Sequence, residues 1–300
     1  MRRIIGLCSA ALVLSATLAF AAACDSGSSS DKGKLSVVAS LELFADMARH
    51  VVGDRAEVEA LLPPGADPHT YELSPARVAD IARADVVFVN GLHLEGNVVD
   101  AIETNAEGPV VELSRGLPVL EGDDQEDAKG NPHMWLDVTR AETYVEHIRD
   151  ALIGIDPEGR ATYEANAAAY LQELTALDLS FEAAVQAIPE ENRKLVTFHD
   201  AYPYLAQRYG LAIVAVVVPS PGQEPSAQDV ADLTDKLKTE HVPAVFREPQ
   251  FNSEILEQAA REAGVEVREL LSDAYAEDVD SYVGLMEFNM RQLQEGLGGG

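Results

Sequence analysis

The chain has 300 residues, enough for about two domains of ordinary size, and it carries 51 acidic against 22 basic residues. The formal net charge of −29 argues against a protein that holds nucleic-acid phosphates or docks on anionic lipid headgroups. Hydrophobic residues make up 47% of the chain, which is typical of a globular protein with a buried core and not of a disordered one. A cationic ligand would fit the field of such a chain.

The start of the chain has the pattern of an export signal. Arg2 and Arg3 precede an uncharged stretch, and small residues then lead to Cys24. We predict a signal peptide over 1–23 that is removed in the mature protein. Cys24 lies where a bacterial lipoprotein has its lipidated cysteine, and the Ser/Gly-rich stretch 24–34 resembles a flexible tether. We expect a lipid anchor on the outer face of the bacterial cell membrane, with simple secretion as the alternative.

Short apolar runs alternate with segments of helical spacing, and this alternation predicts parallel sheets covered by helices. The predicted strands of the first block are Leu35–Ala39, Val58–Leu62, Val86–Asn90 and Val110–Leu113. Those of the second block are Leu195–Phe198, Ala212–Val218, Ala244–Arg247 and Val265–Leu270. The predicted helices between them are Leu41–Val52, Pro75–Arg83, Gly96–Asn105, Ala201–Tyr209, Ser226–Glu240, Ser253–Ala263 and Ser281–Leu297.

A long helical segment separates the two blocks. Asp156 suits a helix N-cap, Pro157 suits the first helical position, and Ala, Leu, Glu and Gln dominate the residues that follow. We therefore predict an α/β fold with lobes at 35–156 and 190–300, joined by one rigid linking helix over 157–189. The alternative is an ordinary helix packed within one domain. A further acidic stretch, 121–130, is interpreted as a solvated loop, or less favourably as a loop that collects cations.

The histidines carry the candidate chemistry. His69 and His199 lie just beyond predicted strands, and His133 lies in a loop before a helix. Ligands of open α/β sheets bind outside the carboxyl ends of the strands, so two facing lobes would bring His69 and His199 together. Asp273 and Glu248 also follow predicted strands and belong to the same edge.

Three imidazoles and one carboxylate form a ligand set suited to Zn²⁺, and Mn²⁺ also accepts mixed nitrogen and oxygen donors. A single histidine is more often structural than a ligand, but here each member of the set falls where ligands collect. We interpret the other histidines as background, although one that follows a strand, His93, could line a cleft. These background residues are His50, His93, His147 and His241.

Distinctive segments occur along the whole mature body: GADPHTYELSP, NGLHLEG, NPHMWLD, TFHDAYPYLAQRYGL, PGQEPSAQDV, FREPQFN and LLSDAY with the later YVGLMEFNMRQL. In this order they resemble the metal-binding solute-binding proteins of bacterial zinc and manganese ABC importers. The resemblance covers about 35–297 and implies two α/β lobes joined by a long helix, with one metal ion between them. It also implies a monomer that works with separate permease and ATPase chains.

By motif, the resemblance places the metal ligands on His69, His133, His199 and Asp273. It leaves Glu248 as a group that orients a ligating imidazole, since Pro249 fixes the chain direction there. Zinc is favoured as the transported ion because three imidazoles suit it better than they suit manganese. Manganese is the alternative, and NGLHLEG is closer to the manganese-type relatives.

Two other classes of protein compete with a metal receptor. An extracytoplasmic zinc hydrolase would use the three histidines as ligands, an open position for water and Glu248 as its base. A metal-binding surface adhesin, active in cell adhesion, would need only the fold and the ion. Asp273 separates the receptor from the hydrolase, because a fourth protein ligand closes the coordination shell to water. We expect no enzymatic activity.

Overall fold

The computed structural model describes residues 34–96, 98–120, 130–218 and 226–298. The predicted signal peptide 1–23, the predicted anchor Cys24 and nearly all of the acidic stretch 121–130 lie outside these ranges. Within them, no helix combines the length and the apolar character that crossing a membrane requires.

The first half of the described chain alternates strands with helices. Its strands are β1 (Leu35–Ala39), β2 (Ala56–Ala60), β3 (Val86–Val89) and β4 (Val110–Glu112). Its helices are α1 (Glu42–Val52), α2 (Pro75–Arg83), α3 (Val98–Asn105) and α4 (Val138–Ile155). A long helix, α5 (Arg160–Gln186), follows and leads into the second half.

The second half repeats the alternation. Its strands are β5 (Lys194–His199), β6 (Ala212–Val218), β7 (Ala244–Arg247) and β8 (Glu266–Glu269). Its helices are α6 (Pro203–Tyr209), α7 (Ala227–Glu240), α8 (Glu254–Ala263) and α9 (Tyr282–Leu297). The predicted α/β class, with two sheets flanked by helices and a long helix between them, is confirmed.

Both sheets are parallel and have the same order of strands. The first runs β2-β1-β3-β4 and the second runs β6-β5-β7-β8. In each, the first strand of the block is an inner strand and the second is an edge strand.

Two of the boundaries that differ from the prediction have a physical reason in the structure. Strand β2 begins at Ala56 because an edge strand tolerates exposed acidic residues, so Glu57 and Glu59 alternate with its half-buried positions. The linking helix begins with a 3₁₀ turn, and α5 starts only at Arg160. A Cβ at Gly159 would lie 2.5 Å from neighbouring side-chain atoms, so this turn packs closely against the body of the protein.

Helix α5 packs against both halves of the described chain. It contacts α1 and α4 of the first half, and α6 and α9 of the second. Its buried residues recur every three or four positions and belong to one core that continues from the first sheet to the inner strands of the second. A smaller core lies between the second sheet and helices α7 and α8. The 27 residues of α5 would span about 40 Å, and packing along that length makes the helix a stiff connection.

Asp178 fastens α5 to α6 by a buried polar contact. Its carboxylate accepts hydrogen bonds from the Arg208 guanidinium, with Nε at 3.1 Å, and from the Tyr209 hydroxyl at 3.0 Å. Buried polar groups are costly when they lose their partners, so this carboxylate contributes to the junction between the long helix and the second half.

We expect Asp178→Ala to lower the free energy of unfolding by about 1–3 kcal/mol, because the buried Tyr209 hydroxyl and the Arg208 guanidinium both lose their acceptor. Urea unfolding of the mature protein measures the change. The matched control is Glu164→Ala, which removes an exposed ion pair with Arg160 on the same helix and should cost less than about 0.5 kcal/mol. Equal losses for the two variants would contradict the anchoring role of Asp178.

Candidate metal centre

Four side chains from separate segments converge at one buried point. The ligand atoms of His69, His133, His199 and Asp273 all lie within 4.8 Å of one another. The Nε2 atom of His133 is 3.3 Å from Nε2 of His69 and 3.3 Å from Nε2 of His199. Two ligands about 2.0–2.1 Å from a tetrahedral Zn²⁺ ion are separated by about 3.3–3.4 Å, so the spacing of the imidazole nitrogens fits such an ion.

The four segments reach the cluster from different places in the two sheets. His69 lies in the loop beyond edge strand β2, whereas His199 is the last residue of inner strand β5. Both histidines thus lie at the carboxyl ends of strands, but one strand is at the edge of its sheet and the other is inside its sheet. Gly96 packs closely against the loop that carries His69. A Cβ atom at position 96 would lie 2.8 Å from the His69 carbonyl oxygen.

The orientation of the His133 ring is fixed by Asn131, two residues earlier. The Asn131 amide nitrogen donates to the Asp200 carbonyl at 2.6 Å, so its amide oxygen faces His133. That oxygen accepts from the His133 backbone N–H and from Nδ1, both at 3.1 Å. With the proton on Nδ1, Nε2 directs its lone pair toward the other ligand atoms.

Glu248 fixes the His199 ring in the same way, with a charged acceptor. Its Oε1 lies 2.7 Å from Nδ1 of His199, and its Oε2 accepts a hydrogen bond from the Ser272 hydroxyl. The Glu248 carboxylate thus lies behind the imidazole and outside the cluster, where it can orient the ring.

Asp273 is the carboxylate that faces the histidines. Its Oδ1 is 3.5 Å from Nε2 of His133 and its Oδ2 is 3.8 Å from Nε2 of His199. Neither oxygen has a hydrogen-bond partner within the described ranges, although the residue is only 4% exposed. A buried carboxylate without donors is costly, and a cation between it and the imidazoles would satisfy both of its oxygens.

Burial and mutual proximity shift the pKa values of the cluster in opposite directions. Burial, with the nearby rings of His199 and His69, lowers the pKa of His133 well below its usual value. Burial also opposes the charged form of His199, but Glu248 outweighs it and raises the pKa of that ring to about 9. Burial raises the pKa of the Asp273 carboxyl to about 7. Without a cation, the His199 ring therefore keeps a proton that its Nε2 can donate to His133.

The other histidines have structural contacts elsewhere. The His50 ring stacks on Tyr170 at 4.1 Å between centroids, and Nδ1 of His147 lies 2.8 Å from the Leu113 carbonyl oxygen. His241 caps the end of α7 in a left-handed conformation. His93 is exposed in a turn and is not among the clustered ligand atoms.

Sequence reasoning singled out Glu248 but missed Asn131, Ser272 and Trp135, which also contact the residues of the cluster or the backbone beside them. Asn131 could have been inferred from its position two residues before His133, where a short amide side chain can bond back to the following backbone. Ser272 and Trp135 carried no such local signal. They contact each other although they lie 137 positions apart in the sequence.

The family model described as zinc-uptake complex component A, periplasmic, matches residues 37–296. A manganese-binding lipoprotein of Halalkalibacterium halodurans is 34% identical over 91% of this chain and 92% of its own length. An iron ABC transporter substrate-binding lipoprotein of Streptococcus pyogenes is 31% identical over 88% of this chain and 89% of its own. Among solved structures, the periplasmic zinc-binding protein TroA of Treponema pallidum superposes with a TM-score of 0.81 at 28% identity, covering 89% of this chain and 100% of that one.

We expect Asp273→Asn to raise the stability of the metal-free protein at pH 8. The folded carboxyl has a pKa of about 7 against an ordinary value of 3.8, so the unfolded chain releases this proton first as the pH rises. Stability therefore falls between about pH 4 and 7 and stays low above pH 7. The amide removes that loss and should add about 1–3 kcal/mol at pH 8, measured by urea unfolding with a chelator present.

The pH dependence and a second variant control this result. At pH 4 most of the gain should vanish, because folded Asp273 is then protonated and the unfolded carboxyl, with its ordinary pKa of 3.8, has released only about half of its protons. Glu248→Gln should instead destabilise the protein at pH 8, because it deprives the protonated His199 ring of its carboxylate. A gain of equal size at pH 4 and pH 8 would show that the buried charge of Asp273 is not its source.

Proposed function

We propose that this chain, which belongs to the family of periplasmic zinc-uptake complex components, captures a divalent transition-metal ion outside the membrane for an ABC importer. The observation that carries the proposal is the convergence of three imidazole nitrogens and one unpartnered carboxylate within 4.8 Å. Because the matched relatives are substrate-binding proteins and not hydrolases, the chain is not an enzyme.

The proposed ligands are Nε2 of His69, His133 and His199 and the carboxylate of Asp273. The hydrogen-bond acceptors behind two of the rings support this assignment. Because they bind Nδ1 of His133 and Nδ1 of His199, the Nε2 atoms of both rings point toward the centre of the cluster. Both Asp273 oxygens face the imidazoles, so the carboxylate can bind through one oxygen or through both. A shell of four protein ligands holds an ion without a position for a reacting water.

Zinc is the proposed ion, with manganese as the alternative. Three nitrogen donors suit Zn²⁺ better than Mn²⁺, and sites of nitrogen and oxygen donors generally bind zinc more tightly. The names of relatives at 30% identity or more point to manganese and to iron, while that of a structural neighbour points to zinc. Affinity alone therefore does not identify the transported ion, and competition between metals has to be measured.

The proposed partners are the permease and the ATPase of the importer, as separate chains, with this protein acting as a monomer. Delivery to a permease needs a receptor that stays near the membrane, and a lipid on Cys24 would provide that. The surface adhesin, with a role in cell adhesion, is the rival that shares this location. It differs in needing no permease, so growth under metal limitation separates the two.

The first test of the proposal is the metal content of protein purified without added metal. We expect about one zinc ion per chain by mass spectrometry of the metal. We also expect Zn²⁺ to displace Mn²⁺ in competition, because imidazole donors favour zinc. Protein that contains manganese and retains it against equimolar zinc would overturn zinc as the cargo, and protein that binds neither ion would overturn the function.

Alanine variants locate the site within the same experiment. His69→Ala, His133→Ala and His199→Ala should each weaken zinc binding at least about tenfold, or about 1.4 kcal/mol. The matched controls, His147→Ala and His241→Ala, remove histidines outside the cluster and should leave zinc affinity within about twofold. Equal losses of zinc affinity in the two groups of variants would contradict the assignment of the three clustered histidines as metal ligands.

We expect Cys24→Ser to release the protein from the membrane fraction of a bacterial host, because the lipid would be its anchor. The chain has one other cysteine, Cys8, which lies within the predicted signal peptide. Cys8→Ser is therefore the matched control and should leave the protein anchored. Fractionation and incorporation of labelled palmitate measure both. A Cys24→Ser protein that stays with the membrane would contradict lipid anchoring.

A further inference from the structure

The Asp273 carboxylate is aimed by the backbone beside it. Neither of its oxygens accepts a hydrogen bond within the described ranges, so side-chain donors do not fix its direction there. The preceding backbone is anchored instead. The Asn289 side chain accepts from the Leu271 N–H at 2.7 Å and donates to the Leu271 carbonyl at 2.8 Å. The Trp135 indole Nε1–H donates to the Ser272 carbonyl at 2.9 Å.

These two anchors come from different parts of the molecule. Asn289 belongs to α9, which packs on the same sheet as the Asp273 segment. Trp135 follows His133 by two residues, and its ring lies 5.3 Å from the His133 ring between centroids. The indole is fully buried, and its N–H is a donor only, so the hydrogen bond to Ser272 satisfies the one polar atom of this side chain.

Trp135 is also held firmly itself. Its ring makes an edge contact with Phe44 at 5.4 Å between centroids, and its backbone carbonyl accepts from the Tyr282 hydroxyl at 2.6 Å. A rigid ring on the His133 segment therefore fixes the carbonyl next to Asp273. One buried hydrogen bond, from the Trp135 indole to the Ser272 carbonyl, therefore joins the segments that carry His133 and Asp273.

We propose that Trp135 is a positioning residue, which couples Asp273 to the His133 segment so that carboxylate and imidazole meet the metal at a set separation. This inference rests on the proposed function and adds a determinant of affinity to it. Trp135 does not touch the metal in this arrangement. Its effect passes through the Ser272 carbonyl to Asp273, and Asn289 keeps the loop in place when that link is lost.

The test is a cycle of zinc affinities with Trp135→Phe, Asp273→Ala and the double variant. Phe keeps an aromatic ring against Phe44 and loses the indole N–H. We expect Trp135→Phe to weaken zinc binding about tenfold in the otherwise native protein, the loss typical of a group that supports a metal ligand. In the Asp273→Ala background, Trp135→Phe should change the zinc affinity by less than about twofold, because the carboxylate through which Trp135 acts is already absent.

Tyr209→Phe is the matched control. It removes a buried hydroxyl whose hydrogen bond goes to the Asp178 carboxylate and not to Ser272. We expect it to lower the unfolding midpoint of the metal-free protein but to leave zinc affinity within about threefold. Equal losses of affinity in Trp135→Phe and Tyr209→Phe, or additive losses in the cycle, would overturn the coupling and leave a merely structural tryptophan.

The native protein offers a second measurement that does not depend on the folding of a tryptophan variant. The sequence has one tryptophan, so ¹⁵N-labelled protein shows one indole N–H resonance. Zinc should slow the exchange of this proton with solvent, because the ion fixes Asp273 and thereby the Ser272 carbonyl. In Asp273→Ala, zinc should no longer slow it. Unchanged exchange in the native protein would overturn the inference, whereas native protein that binds no zinc would overturn the proposed function first.

Discussion

The burial of an unpartnered carboxylate against three imidazoles is the constraint on which the rest of the structure depends. The oxygens of Asp273 lie away from water and accept no hydrogen bond within the described ranges. Such an arrangement is unfavourable by itself, because a desolvated carboxylate normally needs donors or a cation. The protein folds with this cost in place, so the packing around the cluster has to offset it.

The hydrophobic packing that offsets this cost is continuous between the two sheets. One hydrophobic core extends from the first sheet through α1, α4 and α5 to the inner strands of the second sheet. Helix α5 contacts both halves along its length, and Asp178 fastens it to α6. A core of this kind resists relative movement of the ligand-bearing segments, since packed interiors deform little. Small rearrangements of loops beside the cluster are then the motions available for release of an ion.

The sequence was informative where the pattern is local. Apolar runs predicted the strands close to their observed bounds. The histidines His69, His133 and His199 stood out because each lies next to a predicted strand or helix. The choice between Asp273 and Glu248 was not local, and it depended on family resemblance. The contacts of Trp135 with Ser272, and of Asp178 with Arg208, join residues far apart in the chain, so no spacing rule could indicate them. The prediction placed strand β2 too late in the chain, because the exposed acidic residues of this strand interrupt its apolar run.

The charges around the cluster explain why two carboxylates accompany the histidines. Asp273 faces the ligand nitrogens, and Glu248 lies behind the His199 ring. Without an ion, the protonated His199 ring can balance only one of the two carboxylates, and burial together with the nearby Glu248 carboxylate raises the pKa of Asp273. A dication with neutral imidazoles would balance both. Above about pH 7, where Asp273 is ionised, the buried site is then electrically neutral only in the loaded state, which favours capture of a doubly charged ion over a singly charged one.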